Sequence, residues 1–186
     1  MKIVNKILLG VAIVLAVPLT VALFTRNDYA VEREITVGKP KDEVFGYVKY
    51  LRNQDRFSKW ANMDPKMKKE YRGTDGTVGF VSAWESKQDD VGKGEQQIIG
   101  IREGQRIECD LHFIEPFEGR ANAYMTTEAV SDRETKVKWG FTSRMPYPMN
   151  LMLLCMDMEK MIGDDLQTGL ANLKNNLEQP QPLSKN

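Results

Sequence analysis

Apolar residues are concentrated in one unbroken run near the amino terminus. From Ile7 to Phe24 there are 18 residues without a charge, and 15 of them are apolar. A helix of that length rises about 27 Å, close to the thickness of the hydrocarbon core of a bilayer. Apolar residues surround the helix on every side, unlike the single apolar face of a surface helix. The run therefore predicts a transmembrane helix over 7–25, preceded by a short tail over 1–6.

A cleaved signal peptide is the alternative interpretation of this run. Signal peptides usually have about 7–15 apolar residues followed by a small-x-small cleavage site. Here the best site, 20–22, lies inside the run and is followed by two further apolar residues, which favours an uncleaved single-pass anchor. Basic residues flank both ends and do not fix the orientation. The short tail ahead of an export-type segment favours an extracytoplasmic domain.

Beyond the run, apolar and polar residues alternate as they do in strands. A strand is predicted over 29–37, then a short amphipathic helix over 40–51 and a second brief helix over 53–59. Alternation is clean in 106–114, where Ile107, Cys109, Leu111 and Phe113 share one side. Such alternation indicates an antiparallel sheet with one dry face and one wet face. The further strands, separated by turn signals, are predicted near 77–86, 94–102, 106–114, 119–130 and 135–145.

The carboxyl-terminal part changes to a helical period. Apolar residues follow one another at spacings of three and four from Leu151 to Leu177, which predicts one helix over 150–178, about 42 Å long. A sheet that is dry on one face needs a covering layer, and this helix is long enough to provide it. The order predicts an α+β domain over 29–178, in which a curved antiparallel sheet surrounds the helix. A flexible tail is expected over 179–186.

Composition and charge exclude several classes of protein. The chain has 186 residues, with 26 Lys and Arg against 26 Asp and Glu. A net charge of zero gives no basic face for nucleic acid, so no nucleic-acid partner is expected. One histidine and two cysteines exclude multi-histidine metal sites, cysteine-rich zinc modules and disulfide scaffolds, so no metal and no cofactor is predicted. Cys109 and Cys155 are interpreted as buried small hydrophobes, and a disulfide between them stays open.

A resemblance to a known family lies in seven stretches of the soluble part: 31–37, 40–48, 51–60, 63–67, 91–94, 113–117 and 156–173. In these stretches the chain resembles the SRPBCC (START-like) superfamily, in particular its polyketide cyclase/dehydrase and lipid-transport branch. The resemblance covers about residues 30–178. It implies a helix-grip fold with a deep, mostly apolar cavity between sheet and helix that holds a hydrophobic molecule. Because the superfamily includes carriers, cyclases, coenzyme Q-binding proteins and chaperone activators, the fold does not settle the activity.

Candidate binding residues follow from the dry face of the sheet and the inner stripe of the helix. The aromatic ones could equally fill a core, and Asp165 could orient the polar end of a ligand or lie on a solvated helix edge. Six of the ten methionines fall within 145–161, where they suit either a flexible lining or an irregular core. The candidates for lining the cavity are Phe80, Trp84, Leu111, Phe113, Tyr124, Trp139, Phe141, Met158, Ile162 and Asp165.

Catalytic motifs do not emerge from the sequence. There is no nucleophile motif, phosphate loop or metal-ligand spacing, and His112 is expected on the wet face between two dry-face residues. Cyclases of this fold use few polar groups and leave little signature. Three hypotheses therefore stand: a membrane-anchored binding or transport protein for a lipid- or quinone-like molecule, which is favoured; a cyclase-like enzyme; and a protein-interaction module. The oligomeric state is not predicted.

Overall fold

A computed structural model of the protein describes residues 2–179. An amino-terminal helix is followed by one α+β unit. Apart from Gln179, the flexible tail predicted over 179–186 lies outside the described residues. The helices are α1 (Lys2–Phe24), α2 (Lys41–Val48), α3 (Leu51–Gln54), α4 (Lys59–Met63), α5 (Met152–Cys155) and α6 (Met158–Glu178). The strands are β1 (Asp28–Val37), β2 (Lys68–Arg72), β3 (Val81–Glu85), β4 (Lys93–Arg102), β5 (Arg106–Glu115), β6 (Gly119–Ser131) and β7 (Glu134–Arg144).

The seven strands form one sheet in which every neighbouring pair is antiparallel. Their order is β1-β7-β6-β5-β4-β3-β2, so β2 to β7 follow the chain and β1 joins the sheet beside β7. The antiparallel sheet expected from the alternation is confirmed. The strand β2 was not predicted, because four of its five residues are charged and it pairs only with β3, at the edge. Charged side chains are typical of edge strands.

One face of the sheet carries the core. Ile107 on β5 pairs with Met125 on β6, and Val137 on β7 pairs with Ile35 on β1, all on the same side. The helix α6 lies across this face and contributes Leu166, Leu170 and Leu173, each at most 1% exposed. A curved sheet gripping a carboxyl-terminal helix is the helix-grip fold that was expected.

The carboxyl-terminal helix is shorter than predicted. A 3₁₀ turn over Met149–Leu151 and the four-residue α5 precede it, and the chain breaks at Met156 before α6 begins. The carboxylate of Asp157 accepts a hydrogen bond of 2.9 Å from the backbone N–H of Lys160, which caps the new helix. The prediction of one helix over 150–178 is therefore wrong. The side chains of residues 151–156 are exposed or half-buried rather than buried in the core.

Short helices close one end of the unit. The predicted helix over 40–51 is two helices, since α2 ends at Val48 and α3 begins at Leu51. The carboxylate of Asp75 accepts hydrogen bonds from the backbone N–H groups of Leu51 and Arg52, at 2.9 and 3.1 Å, and so starts α3. The second predicted helix, over 53–59, is not continuous either, because α3 ends at Gln54 and α4 begins at Lys59.

The helix α1 is apolar and does not belong to the core of the α+β unit. It begins at Lys2 rather than at Ile7, and so includes residues assigned to the tail. Its segment Ile3–Phe24 is long and apolar enough to cross a membrane. Apart from Ala22, the side chains of this segment are exposed, so α1 is not a core helix of the α+β unit.

The two cysteines differ in reactivity by position. Both are free. Cys109 is buried on β5, and burial raises the pKa of its thiol to about 12. The prediction that Cys155 is buried is wrong, because it is exposed on the short helix α5. Because the thiolate is the nucleophile, we expect one N-ethylmaleimide addition per native chain in mild detergent and two after denaturation, counted by intact mass. Two additions to the native chain would contradict the burial of Cys109.

Candidate functional site

Burial of the inner-face side chains changes along the sheet. On β5, Ile107 is 2% exposed, whereas Leu111 and Phe113 are half-buried. The helix α6 shows the same change, because Leu170 is 0% exposed and Ile162, two turns earlier, is half-buried. The concave face is therefore closed at one end and open at the other. The open end lies where α6 begins and where β5 reaches its turn with β6.

The open end is lined by apolar side chains from four elements. We define it by Trp60 on α4, Trp84 on β3, Leu111 and Phe113 on β5, and Ile162 on α6, all half-buried. The rings of Trp84 and Phe113 meet edge to face, with centroids 6.1 Å apart and planes at 72°. Edge-to-face pairs of this kind are a favourable aromatic geometry. The result is an apolar surface that is in part open to the surroundings.

The position of Trp84 is fixed by its neighbours on the sheet. Trp84 pairs with Gly94 on β4, and a Cβ atom on Gly94 would lie 2.5 Å from Cζ2 of the indole. Glycine is therefore required for the ring to lie against the strand. The indole Nε1–H donates a hydrogen bond of 3.2 Å to the carbonyl oxygen of Val91. This partner satisfies the polar atom of the ring and leaves its apolar surface for packing.

Three of the predicted lining residues lie deeper, in the core. Phe80 is 0% exposed and stacks on Tyr71, with ring centroids 6.2 Å apart. Trp139 and Phe141 are 3% and 9% exposed. Trp139 lies between the core and the open end, because its ring also contacts that of Trp60, with 6.3 Å between the ring centroids. Of the remaining candidates, Met158 is half-buried near the start of α6.

Tyr124 lies on the other face of the sheet, so its assignment to the cavity is corrected. It pairs with Gly140 on β7, between the inward-facing Trp139 and Phe141. Its hydroxyl donates a hydrogen bond to the Glu32 carboxylate. The Arg106 guanidinium lies over its ring, with Cζ 3.9 Å from the ring centroid. The sequence misleads here because the inward positions of β6 hold mainly small residues, and the large aromatic ring is the outward one. The inward positions of β6 are Ala121, Ala123, Met125 and Thr127.

The outward position of Tyr124 can be tested through Gly140. A Cβ atom on Gly140 would overlap the Tyr124 ring, so Gly140→Ala should displace the ring and lower the free energy of unfolding by about 1–3 kcal/mol. In a Tyr124→Ala background the same change should cost much less, because the obstacle is gone. Urea unfolding of the four proteins measures this coupling. Equal losses in both backgrounds would contradict the contact.

Asp165 lies at the rim of the open end and is paired with a lysine. Its side chain is 18% exposed and forms an ion pair with Lys59. Both border a shallow depression of about 320 Å³, together with Asp157, Lys160 and Asp164. The Lys160 ammonium donates a hydrogen bond of 2.7 Å to Asp164 and lowers the pKa of that carboxyl. Two of the three rim carboxylates, Asp164 and Asp165, are thus paired with lysines, and the third, Asp157, caps α6.

Other polar groups near the concave face are also paired. The Tyr71 hydroxyl donates to Asp55, and burial raises the pKa of Tyr71; Lys69 Nζ lies 2.9 Å from the same carboxylate. His112 faces outward, as expected, and its Nε2 lies 3.5 Å from Glu118. Among residues 2–179, no group of three His, Cys, Asp or Glu side chains could hold a metal ion. Because these polar groups are already paired, the contacts that the open end offers to a ligand are mainly apolar.

Two features of this region were missed by the sequence interpretation. Trp60 belongs to the open end, although it was not among the candidate lining residues. Arg33 lies on the inner face between Val31 and Ile35, and its guanidinium donates a hydrogen bond of 3.2 Å to the backbone carbonyl of Glu159. It joins β1 to the first turn of α6. The alternation in 31–37 already indicated that Arg33 faces inward.

Comparisons with known proteins identify the fold. No protein-family model and no curated protein sequence matches the chain. Among solved structures, truncated norcoclaurine synthase from Thalictrum flavum is similar with a TM-score of 0.64 and 11% identity, over 84% of this chain and 98% of that one. A protein from Nitrosospira multiformis gives 0.56 and 16%, over 81% and 97%. One from Chromobacterium violaceum gives 0.57 and 12%, over 81% and 98%.

Proposed function

We propose that this protein binds a hydrophobic small molecule, lipid- or quinone-like, at the open end of its concave face. The observation that carries the proposal is the loss of burial along β5 and α6. Apolar side chains that face the helix are fully covered at one end of the sheet and half-exposed at the other. Clefts lined mainly by apolar and aromatic side chains are typical of small-molecule sites. A bound molecule would complete the burial of these side chains.

The second part of the proposal is that α1 anchors the domain in a membrane, with the domain on the extracytoplasmic side. The exposed apolar surface of α1 supports the anchoring, because lipid is the environment in which such a helix is stable. Residues 26–186 carry 24 basic and 26 acidic side chains, so the domain as a whole has no attraction to anionic headgroups. A tether would keep the site beside the phase in which its ligand dissolves.

Binding is favoured over catalysis by the arrangement of polar groups. General acid–base chemistry needs a titratable group positioned at the reacting atoms. Here Lys59 and Asp165 are paired with each other at the rim, and Tyr71 and Asp55 are paired at the side. Norcoclaurine synthase, which shares the fold at 12% identity, was solved with dopamine and hydroxybenzaldehyde. A cyclase-like activity is the alternative, and it would require these pairs to separate around a substrate.

All three tryptophans of the chain lie on the concave side, which provides the test of binding. Full-length protein in detergent micelles is titrated with a brominated fatty acid and, separately, with a short-chain benzoquinone. We expect saturable quenching of the tryptophan fluorescence by at least one of them. Trp84→Phe should remove a larger share of the quenching than Trp139→Phe, because Trp139 is more deeply buried. Quenching that rises linearly, as for free tryptophan, would contradict the proposal.

A further inference from the structure

A second apolar surface lies between β7 and α6. Residues 145–156, here called the methionine-rich segment, contain no charged residue in twelve positions. Side chains of this segment are exposed: Tyr147 by 49%, Met149 by 46%, Met152 by 38% and Leu154 by 61%. Monomeric soluble proteins seldom leave such contiguous apolar side chains uncovered. The segment is therefore expected to have a partner.

Asn150 holds this segment at the carboxyl-terminal end of α1 by hydrogen bonds. Its side-chain Nδ2 donates hydrogen bonds of 2.8 Å to the carbonyl oxygen of Ala22 and of 2.9 Å to that of Thr25. The last carbonyls of a helix have no hydrogen-bond donor within the helix. Asn150 supplies a donor to carbonyl oxygens that would cost free energy if they were left unpaired in lipid. Asn150 is 2% exposed and Ala22 is also 2% exposed, so the contact is tightly packed.

The attachment fixes where the segment lies relative to a bilayer. The 22-residue span Ile3–Phe24 is about 33 Å long, slightly more than a hydrocarbon core, so its last turn reaches the boundary with the headgroups. A backbone hydrogen bond of 2.7 Å from Met145 to Asn27 holds the start of the segment at the same level. Tyr147, exposed beside it, is of a type enriched at this boundary. The segment thus lies beside the carboxyl-terminal end of α1.

We propose that the methionine-rich segment inserts into the membrane interface and sets the open end of the concave face against the bilayer. The inference rests on the proposed anchoring by α1. Because α6 begins two residues after the segment, Met158 and Ile162 follow directly on the inserted part. A ligand dissolved in the membrane would then reach the open end without crossing bulk water. The occupant of this surface is lipid, not a second protein.

The experiment uses Cys155, which is exposed within the segment, as the labelling position. Full-length protein labelled there with the fluorophore NBD is reconstituted into phosphatidylcholine vesicles whose acyl chains carry bromine near the headgroup. We expect the bromolipid to remove much of the NBD fluorescence. The matched control, Cys155→Ser with Asp132→Cys, places the label on the β6–β7 turn at the other end of the sheet, where we expect no loss. Met152→Glu with Leu154→Glu should reduce the loss at Cys155.

Extraction with alkaline carbonate separates the possible failures. If the protein stays in the membrane but bromolipid leaves the Cys155 label as bright as the control, the inference is overturned and the anchor stands. If bromolipid has no effect while the label is shielded from aqueous iodide, a protein covers the segment, which also overturns it. If carbonate releases the protein, the anchor fails and the inference fails with it. Retention together with quenching supports both.

Discussion

Replacing Leu170 with alanine should lower the free energy of unfolding by about 2–5 kcal/mol. Leu170 is 0% exposed at the middle of α6, where it packs against the closed end of the concave face. Removing a buried leucine side chain loses its transfer free energy and leaves a cavity that the surroundings fill only in part. Urea unfolding of the full-length protein in mild detergent, followed by tryptophan fluorescence, measures the change. The midpoint should fall with the slope unchanged.

Met161→Ala on the same helix is the matched control for Leu170→Ala. Met161 is 50% exposed, and methionine and alanine are both good helix formers, so the expected change is within about 0.5 kcal/mol. If the two variants lost similar stability, α6 would not be the helix around which the sheet packs.

Filling the open end should reduce ligand occupancy by about tenfold or more, which corresponds to about 1.4 kcal/mol or more of binding free energy. The double variant Leu111→Phe with Ile162→Phe adds ring atoms from the sheet and from α6 at the same opening. Both positions are half-buried, so the larger side chains have room to be accommodated in the folded protein. They then occupy the volume that a ligand would need. Occupancy is measured as the ligand-to-protein ratio after extraction of the purified protein with organic solvent.

Val130→Phe is the control for this loss. Val130 is 54% exposed near the end of β6, away from the open end, so its variant should keep the occupancy of the original protein. Equal occupancy in all three proteins would place the ligand elsewhere. Equal loss in all three would indicate a general effect of added aromatic surface.

The sheet and its core could be predicted because alternation is strong where one face is dry. In β5 and β7 most inward positions are apolar, as with Ile107 and Val137, so both the strands and their inner faces followed from the pattern. The β2 strand could not be found this way, since only Tyr71 marks an inward position among charged residues. Tyr124 was assigned to the wrong face because the inward residues of β6 give a weak pattern.

In the carboxyl-terminal part, apolar spacing continues across a break between two helices. Residues 150–156 continued the apolar spacing of α6, so the sequence favoured one long helix. In the structure the Asp157 side chain caps a new helix that begins at Met158, a break that the apolar spacing does not reveal. What no local pattern contains is the contact of Asn150 with Ala22, 128 positions away along the chain. Contacts between distant segments position this part of the molecule.

The apolar character of the open end followed from the sequence. Which of the inner-face residues would be exposed there did not. Leu111, Phe113 and Ile162 were candidates because they lie on the inner faces of a strand and a helix. Periodicity gives the face of a residue but not its position along that face, so the deeply buried Phe80 and the half-exposed Trp84 were not distinguishable. That difference depends on how far α6 and α4 cover the sheet, which follows from the packing of the whole unit.

Mass spectrometry of the intact full-length protein, released gently from detergent, tests the binding of a hydrophobic molecule most directly. We expect a population with the added mass of one apolar small molecule, identifiable after organic extraction as a lipid or a quinone. The adduct should be lost in Leu111→Phe with Ile162→Phe and kept in Val130→Phe. A protein that carries no small molecule, and that takes none up when incubated with extracted membrane lipids and quinones, would contradict the account.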